Sequence, residues 1–311
     1  MTSFIFPGQG SQYLGMCKDF YDNFKSSKKI VEEIEDITSL KIKKILFEDS
    51  DKLNLTKYTQ ICIFTASIII FKSINEEVDI QKLNIKTMLG HSLGEYTALA
   101  ASKKLSIEDA AKLLKFRGQL MHDAIKPNLS GMAALIGLNA KKIDEIINNE
   151  NLNVYIANDN SPKQIVISGM IDDITNSKDF FLNNEVKRFI PLNVSAAFHC
   201  NIMLEAQKKL KDFIDRTTFH NTDVSIISNF SGKISNETSN IKWSLVNQMA
   251  NKVRWTESID SLGKINDFDI IEVGPGKILS GLIKKINDNF SIKSINSVED
   301  LKLFKNGFVD E

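Results

Sequence analysis

At 311 residues, 42% of them apolar and 25% charged, the chain lies in the globular range and exceeds the usual size of a single core, so a large domain carrying a smaller one is expected. Its 39 basic and 39 acidic residues cancel to a net charge of zero, which removes the electrostatic footprint of a nucleic-acid or anionic-membrane binder. Cys17, Cys62 and Cys200 are odd in number and lack C-x-x-C spacing, so neither a disulfide framework nor a zinc knuckle is expected and a reducing cytoplasm is the simplest compartment.

The chain enters a candidate strand, Ser3-Phe4-Ile5-Phe6, with no signal-peptide pattern ahead of it, and Pro7-Gly8 stops that strand. Gly8-Gln9-Gly10-Ser11-Gln12 follows. The next glycine is Gly15, so the dinucleotide spacing G-x-G-x-x-G is not met, no P-loop signature occurs, and no cofactor is expected. A loop of this kind reads equally as a tight turn or as backbone N–H groups brought up to a ligand, with Gln9 as an oxyanion donor. Ile61 to Phe71, interrupted by Thr65 and Ser67, falls short of the roughly 20 residues of a membrane span and reads as a buried core helix. Thr87-Met88-Leu89 is a second strand, stopped by Gly90 and followed by helical periodicity from Glu95.

A change of rhythm opens near Lys126-Pro127 and closes near Pro191. Within it the patterning predicts strand Met132 to Leu138, helix Ala140 to Asn149, strand Asn153 to Ala157, strand Gln164 to Ser168, helix Ile171 to Asn183 and strand Val186 to Leu192. That β-α-β-β-α-β order is ferredoxin-like, long enough for an inserted small domain over 126–194 between the halves 1–125 and 195–311 of a large one. Val224 to Ile227 and Ile270 to Val273 resume the alternation of strand and helix, which argues for a mostly parallel α/β sheet covered on both faces. The cleft between the two parts is the natural ligand site.

Gly90-His91-Ser92-Leu93-Gly94 fits G-x-S-x-G and stands where that motif needs to stand, between a strand and a helix. The turn is so sharp that a Cβ at either glycine would strike the neighbouring strand or helix, while Ser92 is presented to solvent and the Leu93 N–H points to any oxyanion beside it. A serine nucleophile needs a base. Of four histidines, His91 abuts the serine on a turn whose successive side chains diverge, and His122 and His220 read as surface or capping residues. His199 lies where the chain returns to the large domain and is the favoured base. Cys200 reads as buried and inert. Only four residues are Arg, and Arg117 shares a partly buried helix face with Met121. Periodicity alone favours an internal ion pair with Asp or Glu; the other possibility is a substrate that carries its own carboxylate.

Phe6-Pro7-Gly8-Gln9-Gly10-Ser11-Gln12, Gly90-His91-Ser92-Leu93-Gly94-Glu95, Arg117, Ala197-Phe198-His199, Gln248 with Asn251-Lys252-Val253-Arg254-Trp255, and Gly274-Pro275-Gly276-Lys277 occur in one order. In these motifs the chain resembles the malonyl-coenzyme A:acyl carrier protein transacylases of bacterial type II fatty acid synthesis, nearly end to end. The resemblance implies an α/β-hydrolase-like core with a ferredoxin-like insert and a ping-pong transfer from malonyl-CoA to the phosphopantetheine thiol of acyl carrier protein. By that likeness Ser92 attacks with His199 as base, and Gln9 and Leu93 supply the oxyanion N–H groups. Arg117 pairs with the malonyl carboxylate, and Gln248 orients His199 through its main-chain carbonyl. Met121, Phe198 and His91 complete the acyl site, the ring of Phe198 crowding an α-methyl group. A cytoplasmic monomer without cofactor, metal, membrane or nucleic-acid partner is expected. Two other readings share the same residues. A thioesterase would use water as acceptor, against which Arg117 argues, and a silent carrier-binding module would have no need of Ser92, His199 and Arg117 together.

Overall fold

A computed structural model describes residues 2–309. Their strands are β1 (Thr2–Phe6), β2 (Ile85–Gly90), β3 (Ser130–Ile136), β4 (Val154–Ser161), β5 (Gln164–Met170), β6 (Arg188–Pro191), β7 (Ser225–Ile227), β8 (Ile234–Ser235), β9 (Asp269–Val273) and β10 (Ser291–Ile295). One sheet has the order β10-β9-β1-β2-β7-β8 and is parallel except for the β7–β8 pair; the other is antiparallel, in the order β4-β5-β3-β6. The fold is mixed α/β with a mostly parallel main sheet, as the alternating strand and helix signals predict.

Residue alternation in β1 shows why both faces of that sheet are covered. Phe4 and Phe6 turn to one side and meet Phe71 of the helix Thr56–Glu77 edge-on, with centroids 5.5 and 6.0 Å apart. Ile5 turns to the other and packs with Leu89, Ile227 and Ile270 under the helices Trp255–Lys264 and Ile278–Ile286. Each such side chain is fully buried, a contribution of about 1.5–3 kcal/mol apiece. The helix Thr56–Glu77 is longer than the apolar run alone suggests and reaches 22 residues, enough by length and composition to cross a membrane. Yet 83% of its apolar window is buried inside the protein, so it is the core helix that the sequence predicts.

In the second sheet the two helices fall at the expected residues, Ala140–Asn149 and Ile171–Asn183. Asn139 caps the first by accepting from the Lys142 N–H at 3.0 Å. Leu135, Ile165 and Ile167 pack against Ile143, Ile146 and Phe181 on these helices, while Met132, Ala134, Ala157 and Val166 on the opposite face join the core of the main body.

β4 differs from expectation. Its polar end, Asn158-Asp159-Asn160, has the composition of a turn, but the strand runs on to Ser161 with irregular register against β5. Its other edge finds backbone partners far away in sequence: Asp159 N–H donates to the Val253 carbonyl and Val253 N–H to the Ala157 carbonyl, both at 2.9 Å. The strands β8 and β10 were not anticipated either; both lie at sheet edges, and β10 carries exposed residues such as Lys293 that blur its pattern.

Register decides where the chemistry sits. Phe6 pairs with Gly90 and Leu89 with Ile227, so the segments that follow β1, β2 and β7 emerge side by side at the carboxyl edge of the main sheet, where open α/β sheets bind ligands.

Candidate active site

Ser92 occupies the turn between β2 and the helix Gly94–Ala101 with φ of 53°, in the left-handed region that a non-glycine residue seldom adopts. Both flanking glycines are sterically required. A Cβ at Gly90 would lie 2.1 Å from the Gly94 carbonyl carbon and oxygen, and one at Gly94 would lie 2.2 Å from the Phe6 carbonyl oxygen. Asn229, just beyond β7, holds the strained turn in place: its Oδ1 accepts from the Ser92 N–H at 2.6 Å and its Nδ2 donates to the Gly90 carbonyl at 2.7 Å. Because the clash at Gly94 is with backbone, no rotamer relieves it. We expect Gly94→Ala to lose at least the ~1–3 kcal/mol typical of overpacking, read as a lower melting temperature, together with most of the activity.

The Ser92 hydroxyl lies 2.9 Å from His199 Nε2, and His199 Nδ1 lies 3.0 Å from the Gln248 carbonyl. The partners assign the tautomer: a carbonyl only accepts, so Nδ1 carries the hydrogen and Nε2 is free to accept from Ser92. His199 itself has φ of 57°, and its loop is tied down by the Ala197 N–H, which donates to Ser130 Oγ at 2.9 Å. Burial above all, then the nearby Arg117 guanidinium, pushes the His199 pKa down to about 3, against the hydrogen bond to Gln248. The ring is therefore neutral near pH 7, the state a base requires.

Arg117 projects from the helix Ile107–Asp123, which Ser106 caps by accepting from the Asp109 N–H at 2.9 Å. Its guanidinium is wholly buried and donates to Gln60 Oε1 at 2.5 Å, to Ser92 Oγ at 3.0 Å and to Gln248 Oε1 at 2.9 Å, with the Tyr96 ring 5.4 Å away. The internal ion pair that periodicity favours does not form: among the described residues Arg117 has no salt bridge to a carboxylate. A buried cation whose nearest partners are all neutral is poised for an anion, and this one sits beside the serine hydroxyl.

These groups surround a cavity of about 100 Å³. Gln9, His91, Ser92, Leu93, Arg117, Met121, Phe198 and His199 all line it, and Gln248 lies behind Arg117 and His199. Among the described residues the backbone N–H groups of Gln9 and Leu93 donate to no protein acceptor, as an oxyanion hole needs. His91 is held by Asn160, ring Nε2 to Oδ1 at 2.8 Å, and burial lowers its pKa against that bond. His122 and His220 do not reach the cavity. Cys200 is buried, its thiol pushed up by burial, and like Cys17 and Cys62 it is unpaired.

Sequence reasoning missed several residues here. Gln60 fixes Arg117 through its oxygen, while its Nε2 donates to Met121 Sδ at 3.2 Å. Its signal was a polar residue at the head of an apolar helix. Asn229 could have been suspected from its place after a strand that ends at the carboxyl edge of a parallel sheet. Asn158, which lines the cavity, and Asn160 were hidden by the turn-like composition of β4, and Glu95 by its position inside a motif that explains itself without it. On one side of His199 a larger groove of about 560 Å³ opens between the second sheet and the main body, bordered by Tyr155, Asn201, Asn251 and Lys252.

Comparison with known proteins places almost the whole chain beside acyl transferases. The family model described as an acyl transferase domain matches residues 3–302. A Bacillus subtilis protein named malonyl CoA-acyl carrier protein transacylase is 36% identical over 305 residues, 97% of this chain and 95% of that protein. The crystal structure of an acyl-carrier-protein S-malonyltransferase from Bartonella henselae superposes with a TM-score of 0.93 at 33% identity, covering 99% of both chains. A malonyl-transacylase solved in complex with its type II PKS acyl-carrier protein superposes with a TM-score of 0.91 at 30% identity, covering 98% of this chain and 99% of that one. The serine elbow, the histidine without an acidic partner and the buried arginine thus stand on a backbone shared along almost its whole length, and the chain belongs to the malonyl-CoA:acyl carrier protein transacylase family of acyl transferases.

Proposed function

We propose that this chain moves a malonyl group from malonyl-CoA to the phosphopantetheine thiol of acyl carrier protein by way of an ester on Ser92. The observation that carries this reading is Arg117, a buried guanidinium 3.0 Å from Ser92 Oγ with no carboxylate in contact among the described residues. An acyl group that ends in a carboxylate supplies the missing anion and so is aligned for attack. His199 takes the Ser92 proton as the hydroxyl adds to the thioester carbonyl, and the N–H groups of Gln9 and Leu93 receive the oxyanion. Coenzyme A leaves with the proton returned by His199. The carrier's thiol then repeats the sequence in reverse, entering along the groove that has His199 on its wall.

Met121, Phe198 and His91 would shape the small acyl cavity, where the ring of Phe198 crowds an α-methyl substituent. Its size and the Arg117 clamp leave little space for a hydrolytic water, favouring transfer over hydrolysis. We read the main sheet as an α/β-hydrolase-like core made of 1–125 and 195–311, with a ferredoxin-like insert over 126–194, working as a cytoplasmic monomer without a cofactor.

Intact-protein mass spectrometry after brief exposure to malonyl-CoA tests the reading. The expected result is a malonyl-sized adduct, absent with Ser92→Ala and far weaker with acetyl-CoA. Release of coenzyme A without an adduct would make the protein a thioesterase, and neither adduct nor release would leave a silent binding module.

A further inference from the structure

We propose that Glu95 is a positioning residue for this site, setting the orientation of the Gln248 amide and, through that amide, of Arg117. The inference rests on the acyl-transfer reading and extends it to a group that touches no substrate. Glu95 lies in the first turn of the helix after the serine elbow and is fully buried. Its Oε2 accepts from Gln248 Nε2 at 2.7 Å and from the Asn229 N–H at 3.0 Å, while its Oε1 has no partner among the described residues.

Gln248 is the junction of the site. Its Nε2 also donates to the Ser92 carbonyl at 2.9 Å, its Oε1 receives Arg117, and its main-chain carbonyl holds His199. The amide has two ways round. As it stands, two acceptors face the NH2 group and one guanidinium faces the oxygen. Turned over, the NH2 group would confront Arg117, donor against donor, and the oxygen would confront the Ser92 carbonyl and Glu95. Glu95 supplies one of the two acceptors that exclude the turned form, and the same oxygen, through the Asn229 N–H, secures the residue that clamps the elbow. The carboxylate thus ties the geometry of the nucleophile to that of the acyl clamp.

Hydrogen bonding rather than charge does this. Both bonds end on Oε2, and one amide oxygen can accept both. Burial pushes the Glu95 carboxyl above its usual range, opposed by the hydrogen bonds from Asn229 and Gln248 and by Arg117. A neutral side chain with the same oxygen should therefore serve.

The test compares malonyl-CoA and acetyl-CoA as acyl donors for wild type, Glu95→Met, Glu95→Gln, Gln248→Ala and the double variant Glu95→Met/Gln248→Ala, with melting temperature measured in parallel. Folded Glu95→Met should lose roughly 10-fold or more of its malonyl preference, the size of leaving a buried hydrogen-bond donor without its acceptor, with KM for malonyl-CoA moving more than kcat. Glu95→Gln should restore the preference to within about 3-fold of wild type. In the Gln248→Ala background Glu95→Met should change the preference no further, because the route is already cut. Unchanged preference in folded Glu95→Met, a Glu95→Gln as impaired as Glu95→Met, or additive effects in the double variant would each overturn the proposal. If Glu95→Met does not fold, Glu95→Asp, one methylene too short to meet Gln248, takes its place with the same outcomes. Wild type separates the two failures: no malonyl ester there overturns the transfer reading, whereas a normal ester with an unmoved preference overturns only the role of Glu95.

Discussion

Replacing His199 with Ala is expected to slow acylation of Ser92 by about 10²- to 10⁴-fold, the usual contribution of a positioned general base, measured as the rate of ester formation by quenched-flow mass spectrometry. Among the described residues the imidazole is the one group within hydrogen-bond reach of Ser92 Oγ that can accept its proton, since the other partner, Arg117, only donates. A variant with near-normal rates would place the base elsewhere. The wild-type enzyme should also show an unusual pH dependence. With the folded pKa pushed down to about 3 from an ordinary 6.5, the ring stays neutral as pH falls through 6, so acylation should not drop there as it would with an unperturbed histidine. Stability moves differently. The unfolded chain takes up a proton near pH 6.5 that the folded chain refuses until about 3, so the neutral buried ring favours folding less and less as pH falls across that window. His199→Ala should remove this part of the acid sensitivity, seen as a flatter plot of melting temperature against pH.

Arg117→Ala should cost malonyl-CoA roughly 10²- to 10⁴-fold in kcat/KM, from the ~3–5 kcal/mol lost when one partner of a buried ion pair is removed. Acetyl-CoA, which offers no carboxylate, should be affected far less, so the preference collapses rather than the chemistry. Some loss with both donors is expected, because the guanidinium also donates to Ser92 Oγ and to Gln248 Oε1. Arg117→Lys should fall between the two, keeping the charge but losing the planar fork that reaches Gln60, Ser92 and Gln248 at once. Competition between the two donors for one enzyme sample reads the ratio directly; an unchanged ratio in folded Arg117→Ala would remove Arg117 from the acyl clamp.

Much of this site was legible before any fold was known, because its constraints are local. A Cβ at Gly90 would strike Gly94 within the five-residue turn itself, so that half of the motif carries its own explanation, whereas Gly94 is required by the Phe6 carbonyl of the adjacent strand β1. The alternation of Phe4, Ile5 and Phe6, and the helical periods of 140–149 and 171–183, likewise report burial through spacing alone. For Arg117, periodicity indicated a buried face but not a partner, and the partner it favoured was the wrong one.

Sequence by itself determined the central strands of the main sheet, the two helices of the second sheet, the serine turn and the family to which its motifs point. Only the tertiary structure decided the direction of the polar side chains around them. Gln60, Asn160, Asn229 and Glu95 are ordinary residues in a helix, a strand end, a loop and a helix start, and each acquires its part from partners 57 or more positions away along the chain. The physical reason is that backbone periodicity follows from neighbours a few residues apart, whereas a buried hydrogen bond is satisfied by whichever donor or acceptor the packed fold brings within about 3 Å.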